Sequence, residues 1–352
     1  YRSNLEAVPG VPNGAPPPAY INLMGADFRA PVTWKASASY ARRVTKALTL
    51  TGTFQAGETR HNYQYFDRNL RDTPAFTLDD EEGRAVFVPA NTISAAGRTT
   101  ARFAYRNPEF THVLELVSTG RARARTAIAD GSLALPRGGQ LRGSYTYNRT
   151  RDQSTFSCCI ARTASLLTPV KSDPRDLSGS WGPSDYDFRH KVTTFADMSV
   201  RWGVTLGARY VGASGRPFSL TVNGDINGDD YSGNDLAFVF DPNDPSTPPD
   251  IAAAMQRLLD NKNSVARDYI RHNLGHIADR NGGTAPWTNR VDVRGAKRFT
   301  LGRQALDVVV DVYNFANLLN SKWGGQYLLP QGISASNPTT QQLPLLNVVG
   351  FD

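Results

Sequence analysis

The chain has almost no cysteine, no long apolar run and no visible leader. Its only two cysteines, Cys158 and Cys159, are neighbours. Adjacent Cα atoms lie about 3.8 Å apart, below the usual disulfide span. A vicinal bridge would be strained, and two loop thiols without structural duty is the plainer reading. The pair builds neither a disulfide scaffold nor a zinc or redox motif. No stretch approaches the roughly 18 consecutive apolar residues of a membrane helix. That excludes a helical membrane protein. It does not exclude a membrane β-barrel, whose strands alternate and build no hydropathy peak. The opening YRSNLEAVPGVPNGAPPPAY has no basic start and no apolar core. Either a leader was removed or the chain is an internal segment, and this Pro/Gly-rich stretch resembles the middle of a loop.

Motifs of catalysis are also missing. There is no G-x-S-x-G, H-E-x-x-H, P-loop or Rossmann fingerprint, so no enzyme is expected. His272 and His276 are four apart on a predicted helix, but no acidic or cysteine partner sits at metal-ligand spacing. Two surface histidines is the expected outcome.

What is present is ordinary in bulk. The chain is 40% hydrophobic and 20% charged, with mean hydropathy −0.41, which excludes disorder and collagen. Net charge is +7 and the pI about 9.4. The arginines recur at alternate positions, most clearly Arg121, Arg123 and Arg125, rather than in one block. That favours a polar barrel interior or contact with anionic lipid over nucleic acid.

The dominant period is two. Trp34, Ala36, Ala38 and Tyr40 oppose Lys35, Ser37 and Ser39, and Leu48, Leu50, Gly52 and Phe54 oppose Thr49, Thr51 and Thr53. Four such hairpins are predicted, at about 32–66, 112–151, 187–222 and 288–317. Their turns fall near 43–45, 136–139, 201–203 and 300–303. In the last hairpin, LDVVVDVYNFANLLN (306–320) sets Leu306, Val308, Val310 and Val312 against Asp307 and Asp311. The connections, roughly 68–109, 152–186 and 223–287, are long and polar. Short turns at one end and long loops at the other fit an outer-membrane barrel better than a compact soluble domain. The last loop predicts helix over about 250–278, with Asp250 as N-cap of the first segment and a second running from Ser264 to Gly275.

The fold class expected is therefore all-β: an antiparallel transmembrane barrel, with short periplasmic turns, long extracellular loops and a small helical insertion. Trp34, Tyr40, Tyr145, Tyr147, Trp202, Tyr210, Phe299, Tyr313 and Phe315 lie toward strand ends, as interfacial girdles do. Lys297 falls in phase with Val291 and Val293, where its ammonium would snorkel. Arg142, Arg189, Lys191, Arg209, Asp292, Arg294, Asp307 and Asp311 are predicted to face the lumen, as salt-bridge partners or as a path for a polar solute. DINGDDYSGND (225–235) places Asp225, Asn227 and Asp229 like the first ligands of a calcium loop, with Asp235 as a further candidate. Asp230 stands where such loops have glycine, and Leu236 where they have glutamate. A metal-free turn is the alternative.

SGRPFSLTVNGDINGDDYSGNDLAFV resembles the late-barrel region of TonB-dependent outer-membrane receptors, in the subgroup of large Oar-like proteins with an N-terminal carboxypeptidase-regulatory-like domain. HVLELVSTGRARARTAIADGSLAL, QLRGSYTYNRTRD, APWTNRVDVRGAKRF and VDVYNFANLLN resemble further segments in the same order, after DFRAPVTWKASASYARRV. The resemblance spans nearly the whole chain. It implies a barrel of about 22 strands around an N-terminal plug, contact with lipopolysaccharide, and energy from the TonB complex at an N-terminal box. It implies uptake of scarce nutrients such as siderophores, peptides or polymers. Plug, TonB box and regulatory-like domain are missing from these residues, and only about eight of those strands are clear. A C-terminal barrel segment of a longer protein, ending in a loop at LLNVVGFD, is the expectation. Two alternatives stay open: a self-contained barrel of about eight to ten strands acting as an adhesin or structural protein, and a soluble secreted calcium-binding β-protein. No cofactor is required by the receptor reading or by the small-barrel reading.

Overall fold

The computed structural model describes residues 19–155, 161–321, 323–325 and 342–347. Eight strands form one antiparallel meander, each bonded to its neighbour in the chain. They are β1 (Val32–Arg43), β2 (Leu48–Asp67), β3 (Phe110–Ala134), β4 (Gln140–Asp152), β5 (His190–Ser199), β6 (Val204–Ala213), β7 (Thr288–Leu301) and β8 (Gln304–Val312). Ala19–Met24 adds a short parallel strand beside the start of β3, and Gly182–Pro183 pairs with the end of β4. β1 and β8 do not pair with each other, so the described sheet is open.

The turns that join β1–β2, β3–β4, β5–β6 and β7–β8 lie at one end. Two of them reverse the chain on adjacent residues with positive φ, Arg137–Gly138 and Trp202–Gly203, the backbone shape that matches strand twist. The last is the two-residue turn Gly302–Arg303, since β7 runs on to Leu301. The first lies at 44–47, slightly later than the pattern predicts.

Register sorts the side chains onto two faces. One row runs Tyr40, Gly52, Ala129, Tyr145, Val192 and Gly212; another runs Met198, Leu206, Gly295 and Val310. Directly paired residues point the same way, so these rows form one continuous apolar face. Along β3, Arg125, Ala127 and Ala129 on that face are exposed, while Thr126, Ile128 and Asp130 behind it are half-buried. The apolar face is therefore the convex one. On β2 it runs from Leu48 to Ala56. At about 3.4 Å per residue and the usual barrel tilt, such a run spans roughly 20–25 Å, the height of an outer-membrane apolar band. Among the described residues no layer covers it, and no described helix is long and apolar enough to cross a membrane.

The buried core lies elsewhere. Phe218, Leu220, Ala237, Met255 and Ile270 form one cluster, and Leu70, Val86, Phe87, Val88 and Ala104 another. Most of these residues belong to the three long connections, which pack into a cap beyond the loop end of the sheet. They are far from structureless. They hold α1 (Ala161–Leu166), α2 (Pro249–Asp260), α3 (Arg267–His272) and several short strands.

Several sequence expectations are corrected. The third hairpin ends at Ala213; Pro217–Asn223 leaves the sheet and pairs with Gly283–Thr284 and, in parallel, with Gln342–Asn347. Gly215 makes that corner, because a Cβ there would sit 2.0 Å from the Ala285 carbonyl oxygen. Part of the C-terminal stretch is thus a strand, not a loop. Asp250 lies inside the first turn of α2, behind Pro248 at the cap position. α3 is shorter than 264–275, and His276 sits in a short strand, off the helix of His272. The last strand of the meander stops at Val312. Asn314 turns left-handed and α4 (Phe315–Leu319) follows, so Phe315 is helical. Cys158, Cys159 and residues 1–18 lie outside the described residues.

Candidate functional site

The concave face is built from the polar half of each alternation. Arg142, Phe195, Arg209 and Asp292 form one row across β4–β7, and Asp197, Gly207, Arg294 and Asp311 the next. Arg298 donates two hydrogen bonds of 2.7 Å to Asp307, and Arg294 lies 3.7 Å from Asp311. Arg290 pairs with Asp292 at 2.8 Å. A cleft of about 440 Å³ opens on this face, lined by Phe195, Asp197, Arg209, Arg294, Asp311 and Tyr313. Its lining alternates in sign. It can hold a polar solute by several modest charge-assisted bonds, with no catalytic array.

The remaining candidates take different places. Lys191 shares the concave face, opposite Ala213 and Thr146. Arg189 sits just before β5 and pairs with buried Asp187 at 2.6 Å. Trp34, Tyr40, Tyr145, Tyr147, Tyr210 and Phe299 are on the convex face, and Trp202, 84% exposed, tips a turn. The Tyr210 hydroxyl reaches toward the loops and donates to Asn289 at 2.7 Å. Lys297 lies on the convex side with its ammonium 4.8 Å from the Phe299 ring centre. Tyr313, placed in the girdle by pattern, lines the concave cleft.

The 225–235 loop is a second constellation. The Asp225 carboxylate accepts amide bonds from Gly228 at 2.7 Å and from Asp229 and Asp230 at 3.1 Å, plus the Thr99 hydroxyl at 2.9 Å. Asp229 accepts the Tyr231 amide, and Asp235 the Ile226 amide. The loop thus orders itself through its own amides. Among the described residues no three His, Cys, Asp or Glu side chains group as metal ligands. Burial pushes Asp225 up to about 6 and Asp235 up to about 7; it raises Asp229 as well, with Asp225 and Asp235 adding repulsion.

Beside that loop lies a cluster that sequence reasoning missed. His112, 1% exposed, binds Asp67 through Nδ1 at 2.6 Å and Asp230 through Nε2 at 3.1 Å. Tyr231 stacks on the ring at 4.9 Å, with Tyr20 and Tyr105 edge-on. Burial pulls the imidazole pKa down, but the hydrogen bonds to Asp230 and Asp67 outweigh it, so the net shift is upward. The His112 ring, hydrogen-bonded to both carboxylates, ties β2 and β3 to the acidic loop. The partners are 45 and 118 positions away in sequence. The one available signal was Asp230 at the glycine position, where it adopts φ 75°.

Comparison with known proteins adds a family. A family model described as an outer membrane beta barrel domain matches residues 3–322. No curated protein matches. Among solved structures, the chain is similar to the outer membrane transporter YddB from Escherichia coli, at 9% identity and TM-score 0.45, covering 84% of this chain and 30% of that one. It is also similar to the FrpB iron transporter from Neisseria meningitidis, at 9% identity and TM-score 0.40, covering 84% and 29%. The chain therefore spans under a third of the length of either structure.

Proposed function

We propose, from the premise that this chain belongs to the outer membrane beta barrel domain family, that it forms part of a receptor barrel for energised uptake of a scarce solute. Its place is the bacterial outer membrane. The observation that carries the uptake reading is the two-faced sheet. An uncovered apolar convex face and a charged concave face with a 440 Å³ cleft run along the same strands. That division suits lipid outside and a wet path inside. A soluble protein would bury the apolar face under a second layer.

The finer reading follows the resemblance to TonB-dependent receptors of the Oar-like subgroup. The short turns are periplasmic, and the packed cap of long loops faces outward, where it selects a siderophore, peptide or polymer. Residues outside this chain supply the plug and the contact with the TonB complex. Among the described residues β1 and β8 do not pair with each other, which favours a wide barrel over the small adhesin-type barrel, because eight strands that closed would pair their ends. No chemical step is assigned to it.

Deleting the gene and following a panel of labelled siderophores, peptides and glycans tests this. At least one solute should lose uptake in the deletion strain, and the same uptake should vanish when TonB is inactivated. Unchanged uptake across the panel would sink the receptor reading.

A further inference from the structure

Asp230 sits in the left-handed region, at φ 75°. Glycine would adopt that backbone freely, whereas a residue with a Cβ is strained there. Its carboxylate explains only part of the choice. Oδ2 takes both recorded side-chain bonds, from His112 Nε2 at 3.1 Å and from the Tyr105 hydroxyl at 3.4 Å. Oδ1 has no hydrogen-bond partner among the described residues, and the side chain is 42% exposed. Behind it, Asp67 holds the His112 ring at 2.6 Å. The free oxygen is thus fixed in place before anything reaches it, which lowers the cost of binding.

Asp230 lines an open pocket of about 360 Å³ at the loop end of the sheet, with Thr100, Arg102, Tyr105, Phe110 and Thr111. That volume falls in the usual range for small-ligand pockets, roughly 300–1,000 Å³. The first long connection and the start of β3 supply five of these residues, and the third connection supplies Asp230. Arg102 is exposed and makes no ion pair among the described residues. Thr100 precedes the short helical turn Ala101–Ala104 without spending its hydroxyl on a capping bond. Burial and Asp230 push the Tyr105 phenol above its ordinary range, so it keeps its proton and donates. The pocket therefore offers one free carboxylate oxygen, one free guanidinium, hydroxyls and two aromatic walls.

We propose that this cap pocket binds a neutral sugar ring. Asp230 Oδ1 accepts from its hydroxyls, Arg102 donates to a further oxygen, and Tyr105 or Phe110 packs against its C–H face. The class follows from charge and donor set. Asp230 and Arg102 carry opposite charges, so neither a cation nor an anion finds the lining matched to it. Adjacent hydroxyls both donate and accept, and hydrogen bonds to ionised partners are the strong ones. The site is separate from the concave cleft. It rests on the uptake reading only for its access, since that reading turns the long loops outward.

The test uses the full-length protein in mild detergent, titrated calorimetrically with methyl α-mannoside, methyl β-galactoside and methyl β-glucoside. Ethylamine and acetate serve as charged probes. At least one glycoside should bind. D230G relieves the backbone strain while removing the acceptor, so it should weaken that binding by about tenfold or more. R102Q should weaken it by about tenfold. R303Q, in the turn at the other end of the sheet, should leave it unchanged. Protease resistance of the cap is read alongside; if D230G loses it, exposed R102Q alone decides. No heat with any glycoside overturns the proposal. So does glycoside binding that neither D230G nor R102Q weakens, and so does tighter binding of ethylamine or acetate than of every glycoside. The uptake reading is scored apart. Glycoside binding that both variants weaken, without TonB-dependent uptake of any solute, keeps the site and drops the receptor. TonB-dependent uptake without glycoside binding drops the site alone.

Discussion

At the scale of single residues, the charges that matter most are those removed from water. His112 is held between Asp67 and Asp230. Replacing it with Asn leaves two carboxylates facing each other without a cation. Because Asp230 is partly exposed, the cost should be about 2–3 kcal/mol, less than for a fully buried pair. It should appear as faster proteolysis of the loop cap. The sign of the pH dependence follows from the shifts. His112 is raised above its unfolded value, so its contribution is complete below about pH 6.5 and is lost as pH rises through the folded value. Asp225 at about 6 and Asp235 at about 7 are raised too, so the folded cap binds protons that the unfolded chain releases. All three make the cap more protease-resistant at pH 5 than at pH 8. D235N keeps an oxygen for the Ile226 amide and removes the buried charge. It should raise resistance at pH 8 and flatten the profile between pH 4 and 7. Calcium is the rival occupant suggested by the 225–235 pattern. If EDTA lowers cap stability at pH 7.5 and calcium restores it, the carboxylates serve a cation instead.

At the scale of elements, adjacent positions on one strand should behave oppositely. Val310 is 59% exposed on the convex face opposite Gly295, whereas Val309 lies on the concave face opposite Ala296. V310R should cost about 2–4 kcal/mol in membrane folding, while V309R should be tolerated in a wet interior. Equal effects, read by heat-modifiable mobility after folding into vesicles, would mean that the faces are misassigned. G215A is a second test of an element boundary. Its new Cβ would collide with the Ala285 backbone, and a backbone shift of this kind costs at least about 1–3 kcal/mol. The loss should appear in the strand Pro217–Asn223 and its partners, with the eight-stranded sheet intact. These elements also show what was legible in the sequence. A period of two runs through each strand of the meander, because one side chain in two must meet each solvent, but Tyr313, assigned by that period to the outer girdle, lines the concave cleft. The cap was not legible. Arg84, fully buried, donates to the Leu236 carbonyl at 2.6 Å across 152 positions. Buried Arg280 joins Asp152 and Ser180 from 128 and 100 positions away. Contacts of that span leave no local pattern. For the same reason the long connections read as polar loops. β6 seemed to run on into Pro217–Asn223 because the alternation resumes after the corner; Gly215 and Pro217 were the local signals of the change of sheet.

At the scale of the whole molecule, the sheet has no hydrophobic core of its own. Its buried clusters lie in the cap, and its convex face has no protein partner among the described residues. Such a sheet is stable only where lipid covers that face and every backbone donor at membrane depth is paired. Among the described residues, β1 and β8 are each bonded on one side only. In lipid their outward-pointing amides need further strands, since an open edge at that depth costs several kcal/mol per unpaired group. Hydrogen exchange of the full-length protein in nanodiscs resolves this strand by strand. The amides of Val32–Arg43 and Gln304–Val312 should be protected as strongly as those of β3 within the apolar band, because additional strands complete both edges. Fast exchange at alternate amides of β1 and β8, with β3 protected, would show that the eight strands stand alone. The wide-barrel reading, and the uptake mechanism that depends on it, would then fall.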